Sequence, residues 1–109
     1  MSSLFGVALG ICGLTHAQAA EFFGKGAKTI GHYTSGARPV PDEMWRMLAA
    51  LYAQIIQVSE DALDTFDLEE VSTEGIQALA RHQMGEGLPE PALHAALAMF
   101  ILARLAPES

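Results

Sequence analysis

Residues 14–36 read LTHAQAAEFFGKGAKTIGHYTSG, and this stretch carries the most specific pattern in the chain. Thr15 suits the position just before a helix, so a helix is predicted over about 16–23. Gly24 follows, and glycine readily adopts the positive φ angle at which many helices end. A second short helix is predicted over about 26–34. The stretch therefore predicts two helices joined by a tight turn.

Four residues in this stretch have the spacing that a helix-turn-helix unit requires. Ala20 is small at the point where the two helices must touch, and Gly24 follows four residues later at the turn. Ile30 lies six residues beyond the glycine, where an apolar side chain holds the second helix on the first. Tyr33 is the bulky residue that closes the base of the unit. The packing needs of such a unit are met at all four positions.

The rest of the chain also has helical periodicity, and no segment alternates apolar and polar residues over the length of a strand. An all-α fold is therefore predicted. Further helices are expected from a cap at Ser2 or Ser3 to about Cys12, from Pro41 to about residue 65, from a cap at Thr73 to about Met84, and over about 90–105. The spacing of apolar residues in the long fourth helix places Trp45 and Tyr52 in the core.

The chain resembles the helix-turn-helix domain of the lambda-repressor and Cro-like superfamily over about residues 3–55. The likeness is most specific in GLT at 13–15, AAEFFG at 19–24, TI at 29–30 and YTSGARPVP at 33–41. The resemblance implies an N-terminal helix-turn-helix bundle over 1–55 and a C-terminal helical extension over 56–109. It also implies a sequence-specific transcription regulator, most often a dimeric repressor, whose third helix enters the major groove of a palindromic operator.

Candidate DNA contacts follow from the assignment of the third helix as the recognition helix. Its outward positions share one helical face, opposite Ile30 and Tyr33. Lys28 can donate to a guanine or to a phosphate, and His32 can donate or accept at a base edge. Helix ends and turns are where phosphate contacts usually arise. The candidate DNA-binding residues are Ala27, Lys28, Gly31 and His32 on the outward face, and His16, Lys25, Thr29, Ser35 and Arg38 near helix ends or turns.

Charge is distributed unevenly along the 109 residues, whose formal net charge is −7. Residues 1–55 have a balance of +1, and residues 24–41 contain three basic residues and no acidic one. Residues 56–109 contain two arginines against ten acidic residues. The negative total therefore does not exclude DNA as a partner, because the basic residues are grouped in the half that contains the helix-turn-helix pattern.

The last predicted helix is apolar on nearly every side. From Ala92 to Leu105, only His94 and Arg104 are polar. A helix of this kind must be buried on more than one side. One face is expected to pack on the fourth helix and the other to meet a second subunit, so a homodimer is predicted. The candidate dimerisation residues are Leu93, Leu97, Met99, Phe100, Ile101 and Leu102.

Other functional classes lack their sequence signals. The longest apolar run, 95–103, is shorter than the stretch of about 20 residues that a membrane span needs. No basic segment precedes the apolar N-terminal stretch, as it would in a signal peptide. A cytoplasmic protein without membrane contact is therefore expected. Cys12 is the only cysteine, and the histidines lack metal-ligand spacing, so no metal site is expected. The sequence shows no paired Ser/His/Asp or Cys/His arrangement and no Gly-rich phosphate loop after a strand, so no cofactor, catalytic residue or enzymatic activity is expected.

A second interpretation of the sequence stays open. Gly26 and Gly31 each weaken a short recognition helix by about 1 kcal/mol relative to alanine. The chain would then be a protein-interaction module, such as an antitoxin-like or phage-derived adaptor, in which DNA binding is weak or lost. In this interpretation the acidic C-terminal half holds a protein partner.

Overall fold

The computed structural model of the chain describes residues 4–107. Within these residues it contains six α-helices and no strand, and the helices are α1 (Leu4–Ile11), α2 (His16–Phe23), α3 (Ala27–Thr34), α4 (Asp42–Thr65), α5 (Thr73–Met84) and α6 (Glu90–Leu105). The predicted all-α fold is confirmed. The helix cap expected at Ser2 or Ser3 lies outside the described residues. No helix in residues 4–107 is long and apolar enough to cross a membrane.

The helices belong to two compact units, and the boundary between the units lies within α4, between Tyr52 and Ala53. The N-terminal unit contains α1, α2, α3 and the first part of α4. The C-terminal unit contains the rest of α4, together with α5 and α6. The helix-turn-helix pattern and the apolar last helix therefore belong to different units.

Local sequence signals account for both ends of α2. The Thr15 hydroxyl accepts a hydrogen bond from the Gln18 N–H at 3.2 Å, and the Gln18 side-chain oxygen accepts from the Thr15 N–H at 3.0 Å. These reciprocal bonds form a capping box, which satisfies donors that the start of a helix leaves free. At the other end Gly24 has a φ of 67°, and the Lys25 N–H donates to the Ala20 carbonyl at 2.9 Å. The predicted bounds of α2 are confirmed.

Phe5 of α1 lies at the centre of the core of the N-terminal unit. The centroid of its ring lies 5.4 Å from that of Trp45, 5.9 Å from that of Phe23 and 6.2 Å from that of Tyr33. Edge-on and tilted contacts of this kind are the favourable arrangements of aromatic rings. Ile30 of α3 is fully buried in the same unit. The core of this unit is therefore built from residues of α1, α2 and α3 together with Met44, Leu48 and Leu51 from the first part of α4.

The buried stripe of α4 differs from the predicted one at Tyr52. Leu48 and Leu51 are buried in the first part of the helix, whereas Tyr52 is 41% exposed. Adjacent helical residues point about 100° apart, so Leu51 and Tyr52 cannot both lie at the centre of one stripe. Leu51 takes that position. The prediction of Tyr52 as a core residue is therefore wrong, and Trp45 is half-buried.

The starts of α3, α4 and α5 each differ by one residue from the prediction, and α3 begins at Ala27 rather than at Gly26. Pro41 lies just before α4, and its carbonyl accepts from the Met44 N–H at 3.0 Å. Ser72 rather than Thr73 caps α5, because the Ser72 hydroxyl accepts from the Gly75 N–H at 3.1 Å. Both hydroxyl residues are good caps, and the sequence alone does not select between two such neighbours.

The Gln77 side chain fixes the connection between α5 and α6, which pack on each other. Its amide N–H donates to the Leu88 carbonyl at 2.9 Å, and its side-chain oxygen accepts from the Leu88 N–H at 2.8 Å. Gly87 has a φ of 83°, and a Cβ atom at this position would collide with the Gln77 side chain. This short connection makes α5 the nearest neighbour of α6, whereas the sequence pattern led us to expect α4.

Arg104 attaches α6 to the end of α4 within the C-terminal unit. Its guanidinium donates to the carbonyls of Leu63 and Phe66 at 2.7 and 2.8 Å. The end of a helix leaves such carbonyls without intrahelical partners. A positive charge there also interacts favourably with the negative end of the helix dipole. The same guanidinium lies 5.6 Å from the centre of the Phe100 ring. Arg104 therefore acts as a side-chain cap for α4.

Replacing Arg104 with alanine is expected to lower the free energy of unfolding by about 1–2 kcal/mol, because both carbonyls lose a charged donor. Arg81→Ala is the matched control, since Arg81 is an exposed arginine of the same unit. Its expected effect is below about 0.5 kcal/mol. Urea unfolding followed by circular dichroism measures both variants. Equal losses in the two variants would contradict the capping role of Arg104.

Candidate nucleic-acid interface

The packing of α2 against α3 fixes the direction of the candidate DNA contacts. Ala19 and Phe23 of α2 and Ile30 of α3 are buried. The Ile30 N–H donates to the Gly26 carbonyl at 3.1 Å, which places the start of α3 just after the turn. Because Ile30 points inward, the residues on the opposite side of α3 point outward. Lys28 lies on that side and is exposed.

Of the nine candidate DNA-binding residues, none is buried, but their exposure differs. Gly31, His32 and Thr29 are half-buried on α3. The exposed candidates are Ala27 and Lys28 on α3, and His16, Lys25, Ser35 and Arg38 outside it. His16 is the first residue of α2, and Lys25 belongs to the turn between α2 and α3.

The turn after α3 is held by hydrogen bonds around Ser35. The Ser35 hydroxyl donates to the His32 carbonyl at 3.2 Å and accepts from the Ala37 N–H at 3.4 Å. The Arg38 N–H donates to the same His32 carbonyl at 3.2 Å. These bonds fix the backbone from which the Arg38 side chain extends. They also occupy the proton of the Ser35 hydroxyl, so Arg38 is the better phosphate donor of the two.

The cations of this surface have no acidic partner among residues 4–107. Lys25, Lys28 and Arg38 make no ion pair there, and the one ion pair in that part of the chain joins the exposed side chains of Arg46 and Asp42 at 2.9 Å. An unpaired ammonium or guanidinium group keeps its full capacity to donate to phosphate oxygens. The charges needed for phosphate contacts are therefore available.

Seven acidic residues between positions 60 and 74 of the C-terminal unit make up a second group of charges, which we call the acidic segment. Within residues 53–107 none of them makes an ion pair. Asp61 is half-buried and accepts a hydrogen bond from the Gln83 side-chain amide. The other members are exposed. The acidic segment consists of Glu60, Asp61, Asp64, Asp67, Glu69, Glu70 and Glu74.

Burial divides the candidate dimerisation residues of α6. Leu93 and Phe100 are buried inside the protomer, and Leu97, Met99 and Ile101 are half-buried. Leu102 is 68% exposed. Leu105, one turn further along, is 63% exposed. It is not among the predicted dimerisation residues, although its spacing of three residues from Leu102 places the two leucines one turn apart. Leu93 and Phe100 therefore pack inside the C-terminal unit, and Leu102 is the exposed member of the predicted set.

Residues 4–107 contain no group of three or more His, Cys, Asp or Glu side chains placed to hold a metal ion. Cys12 is buried, and burial raises the pKa of its thiol because the thiolate would lose its hydration. The thiol therefore stays protonated at neutral pH. It contributes to packing as a small apolar side chain.

Comparison with known proteins identifies no relative: no family model, no curated protein and no solved structure matches this chain. Function is therefore inferred from the geometry, the burial and the charges of the described residues.

Proposed function

We propose that this protein is a sequence-specific DNA-binding transcription regulator that acts as a dimeric repressor in the cytoplasm. One observation carries the proposal. The pair α2 and α3 buries Ile30 on one side of α3 and leaves the unpaired Lys28 exposed on the other. In this role α3 is the recognition helix of a lambda-repressor-like helix-turn-helix unit, and it enters the major groove of an operator.

Four of the candidate residues have distinct tasks in this mechanism. Lys28 donates to guanine O6 or N7, and His32 reads a neighbouring base edge. The space beside Gly31 is open, since a Cβ atom there would meet no atom within 4 Å apart from its chain neighbours and the backbone of its own helix, so the bases can approach the backbone of α3 closely. Arg38 binds phosphate and sets the register of the protein on the duplex. Occupation of the operator then blocks transcription.

Binding-site selection from random duplex DNA, carried out with the full chain, tests this function. We expect enrichment of a two-fold symmetric sequence. The affinity for that sequence should fall as salt rises, because phosphate contacts release counterions. A selection that enriches no sequence even at low salt would overturn the proposal.

Replacing Lys28 with alanine, or His32 with alanine, is expected to weaken binding to the selected operator by about 1–3 kcal/mol, because each variant loses a base contact. Gel shifts at a fixed salt concentration measure the loss. Thermal melting is the stability control, and the midpoint should not change for Lys28→Ala because that side chain is exposed.

Arg38→Ala is the matched comparison for these variants. It is expected to weaken binding to all duplexes about equally, since a phosphate contact carries little sequence information. Wild-type affinity in both Lys28→Ala and His32→Ala would show that α3 is not the recognition helix. A changed base preference in Arg38→Ala would contradict its phosphate role.

The exposed end of α6 supports self-association. Leu102 and Leu105 lie one turn apart on the surface, and large apolar side chains in such a position favour a partner surface. A two-fold dimer uses the same patch on both subunits. Such a dimer would also present two recognition helices to successive major grooves about 34 Å apart.

Replacing Leu102 with glutamate is expected to weaken self-association by about tenfold or more, because a charge would have to be desolvated in the interface. Ala103→Glu is the matched control, since Ala103 is the exposed neighbour and points about 100° away around the helix. Sedimentation over a concentration series measures both variants. A monomeric wild type at micromolar concentration would refute the dimer. Equal weakening of self-association in both variants would show that the interface is not centred on Leu102.

The acidic segment favours a second candidate function, that of an adaptor for a basic protein partner. Its carboxylates are mostly exposed, and none makes an ion pair within residues 53–107. Opposite charge on a partner would speed association with this surface. The site selection distinguishes the two functions, because an adaptor without DNA binding enriches no operator.

A further inference from the structure

An apolar groove lies between α1 and the first part of α4, within the N-terminal unit. Its volume is about 240 Å³. The floor includes Leu48 and the buried Cys12, and Ile11 and Tyr52 stand more than 40% exposed at its sides. The groove is lined by Ala8, Ile11, Cys12, Trp45, Leu48, Ala49 and Tyr52.

The lining contains no charged side chain. Its polar side-chain groups are the hydroxyl of Tyr52 and the indole N–H of Trp45, and the remaining side chains offer only carbon and the sulfur of Cys12. A charged ligand would lose hydration in the groove and would find no opposite charge in return. The chemistry of the lining therefore favours an uncharged apolar ligand.

We propose that this groove binds a small uncharged apolar molecule, alicyclic or aromatic. An apolar cavity of about 150 Å³ accommodates benzene, so the volume of this groove suits roughly ten non-hydrogen atoms by the same measure. A protein helix is about 10 Å wide with its side chains and is too large for the space. The site does not depend on DNA binding.

The walls of the groove are held in place by the core. The Trp45 ring stands edge-on to Phe5, with an interplanar angle of 87° and a centroid separation of 5.4 Å. Phe5 is itself 1% exposed and also contacts Phe23. A wall fixed in this way does not need to be ordered when the ligand binds, which reduces the entropy cost of binding.

The groove contains its own fluorescent reporter, because Trp45 is the only tryptophan of the chain. The test is a titration of the full-length protein with 1-adamantanol, a compact neutral cage that does not absorb where tryptophan is excited. We expect a saturable blue shift of Trp45 emission, because the ligand displaces water from the indole.

Two alanine positions on α4 give a matched pair of variants. Ala49 lines the groove, whereas its neighbour Ala50 does not, and both are exposed. Ala49→Leu fills part of the groove and is expected to weaken binding by about tenfold, whereas Ala50→Leu should bind like the wild type. Circular dichroism confirms that both variants fold.

Three outcomes would overturn the proposal. The first is an emission shift that does not saturate, and the second is equal binding by all three proteins. The third is a wild-type oligomer that Ala49→Leu dissociates and Ala50→Leu does not. In that case a second copy of the chain covers the groove, and no small molecule is its natural occupant.

Discussion

Replacing Ile30 with aspartate is expected to unfold the N-terminal unit. Ile30 is 0% exposed, so the new carboxylate would lie in an apolar core without a partner. Burial of an unpaired charge, together with the loss of the isoleucine packing, costs about 3–5 kcal/mol or more. This is a large share of the roughly 5–15 kcal/mol that stabilises a typical domain. Trp45 reports the change, because exposure of its indole shifts the emission to longer wavelength.

Ile30→Val is the control for this substitution. It removes one methylene group and is expected to cost only about 0.5–1.5 kcal/mol, so the unit should stay folded and bind operator DNA. If the aspartate variant were folded and still bound DNA with wild-type affinity, Ile30 could not be the residue that holds α3 on α2. The proposed recognition helix would then be wrong as well.

Replacing Phe100 with alanine is expected to lower the free energy of unfolding by about 3–5 kcal/mol, because the change leaves a cavity in a packed core. Phe100 is 0% exposed on the buried side of α6, next to the Arg104 guanidinium. Urea unfolding followed by circular dichroism measures the loss. Hydrogen exchange of the amides in α5 and α6 shows whether the loss is located in the C-terminal unit.

Phe100→Leu is the control, and it tests how much of the lost stability comes from the lost apolar volume. Leucine keeps much of the apolar volume, so this variant should lose clearly less stability than the alanine variant. A loss below about 1 kcal/mol for Phe100→Ala would mean that the ring is not part of a packed core.

Features set by neighbouring residues were the most predictable from the sequence. The bounds of α2 follow from Thr15 and Gln18 at its start and from Gly24 at its end. Each of these signals acts over one turn of helix, so its meaning depends little on the rest of the fold. The inward direction of Ile30 was predictable for a similar reason, since the 3.6-residue period fixes which face of a short helix is apolar.

Features set by tertiary packing were predicted less well. Periodicity allows either Leu51 or Tyr52 at the centre of the buried stripe of α4, and the helices that cover α4 decide between them. The neighbour of α6 was also not evident from its own residues, because an almost wholly apolar helix has no preferred face. The connection held by Gln77 makes that choice, through a contact that no local pattern indicates.

The candidate sites divide in the same way. The surface around Lys28 was predictable because it is the polar side of one short helix. The apolar groove was not, since it needs α1 and α4 to be brought together, and Ala8 and Ala49 have no distinguishing signal in the sequence. Leu105 was predictable only in part. Its apolar side chain and its spacing from Leu102 are evident in the sequence, but its exposure depends on the packing of α6.

The hydrogen bonds of the C-terminal unit imply an order in which it folds. The Gln77 side chain reaches a residue only 11 positions away. Arg104 instead reaches back 41 positions to Leu63 and 38 positions to Phe66. The entropy cost of closing a loop grows with its length, and contacts between nearby residues form faster. We therefore expect α5 and α6 to join first as a hairpin during refolding, and the docking of Arg104 on the end of α4 to complete the unit.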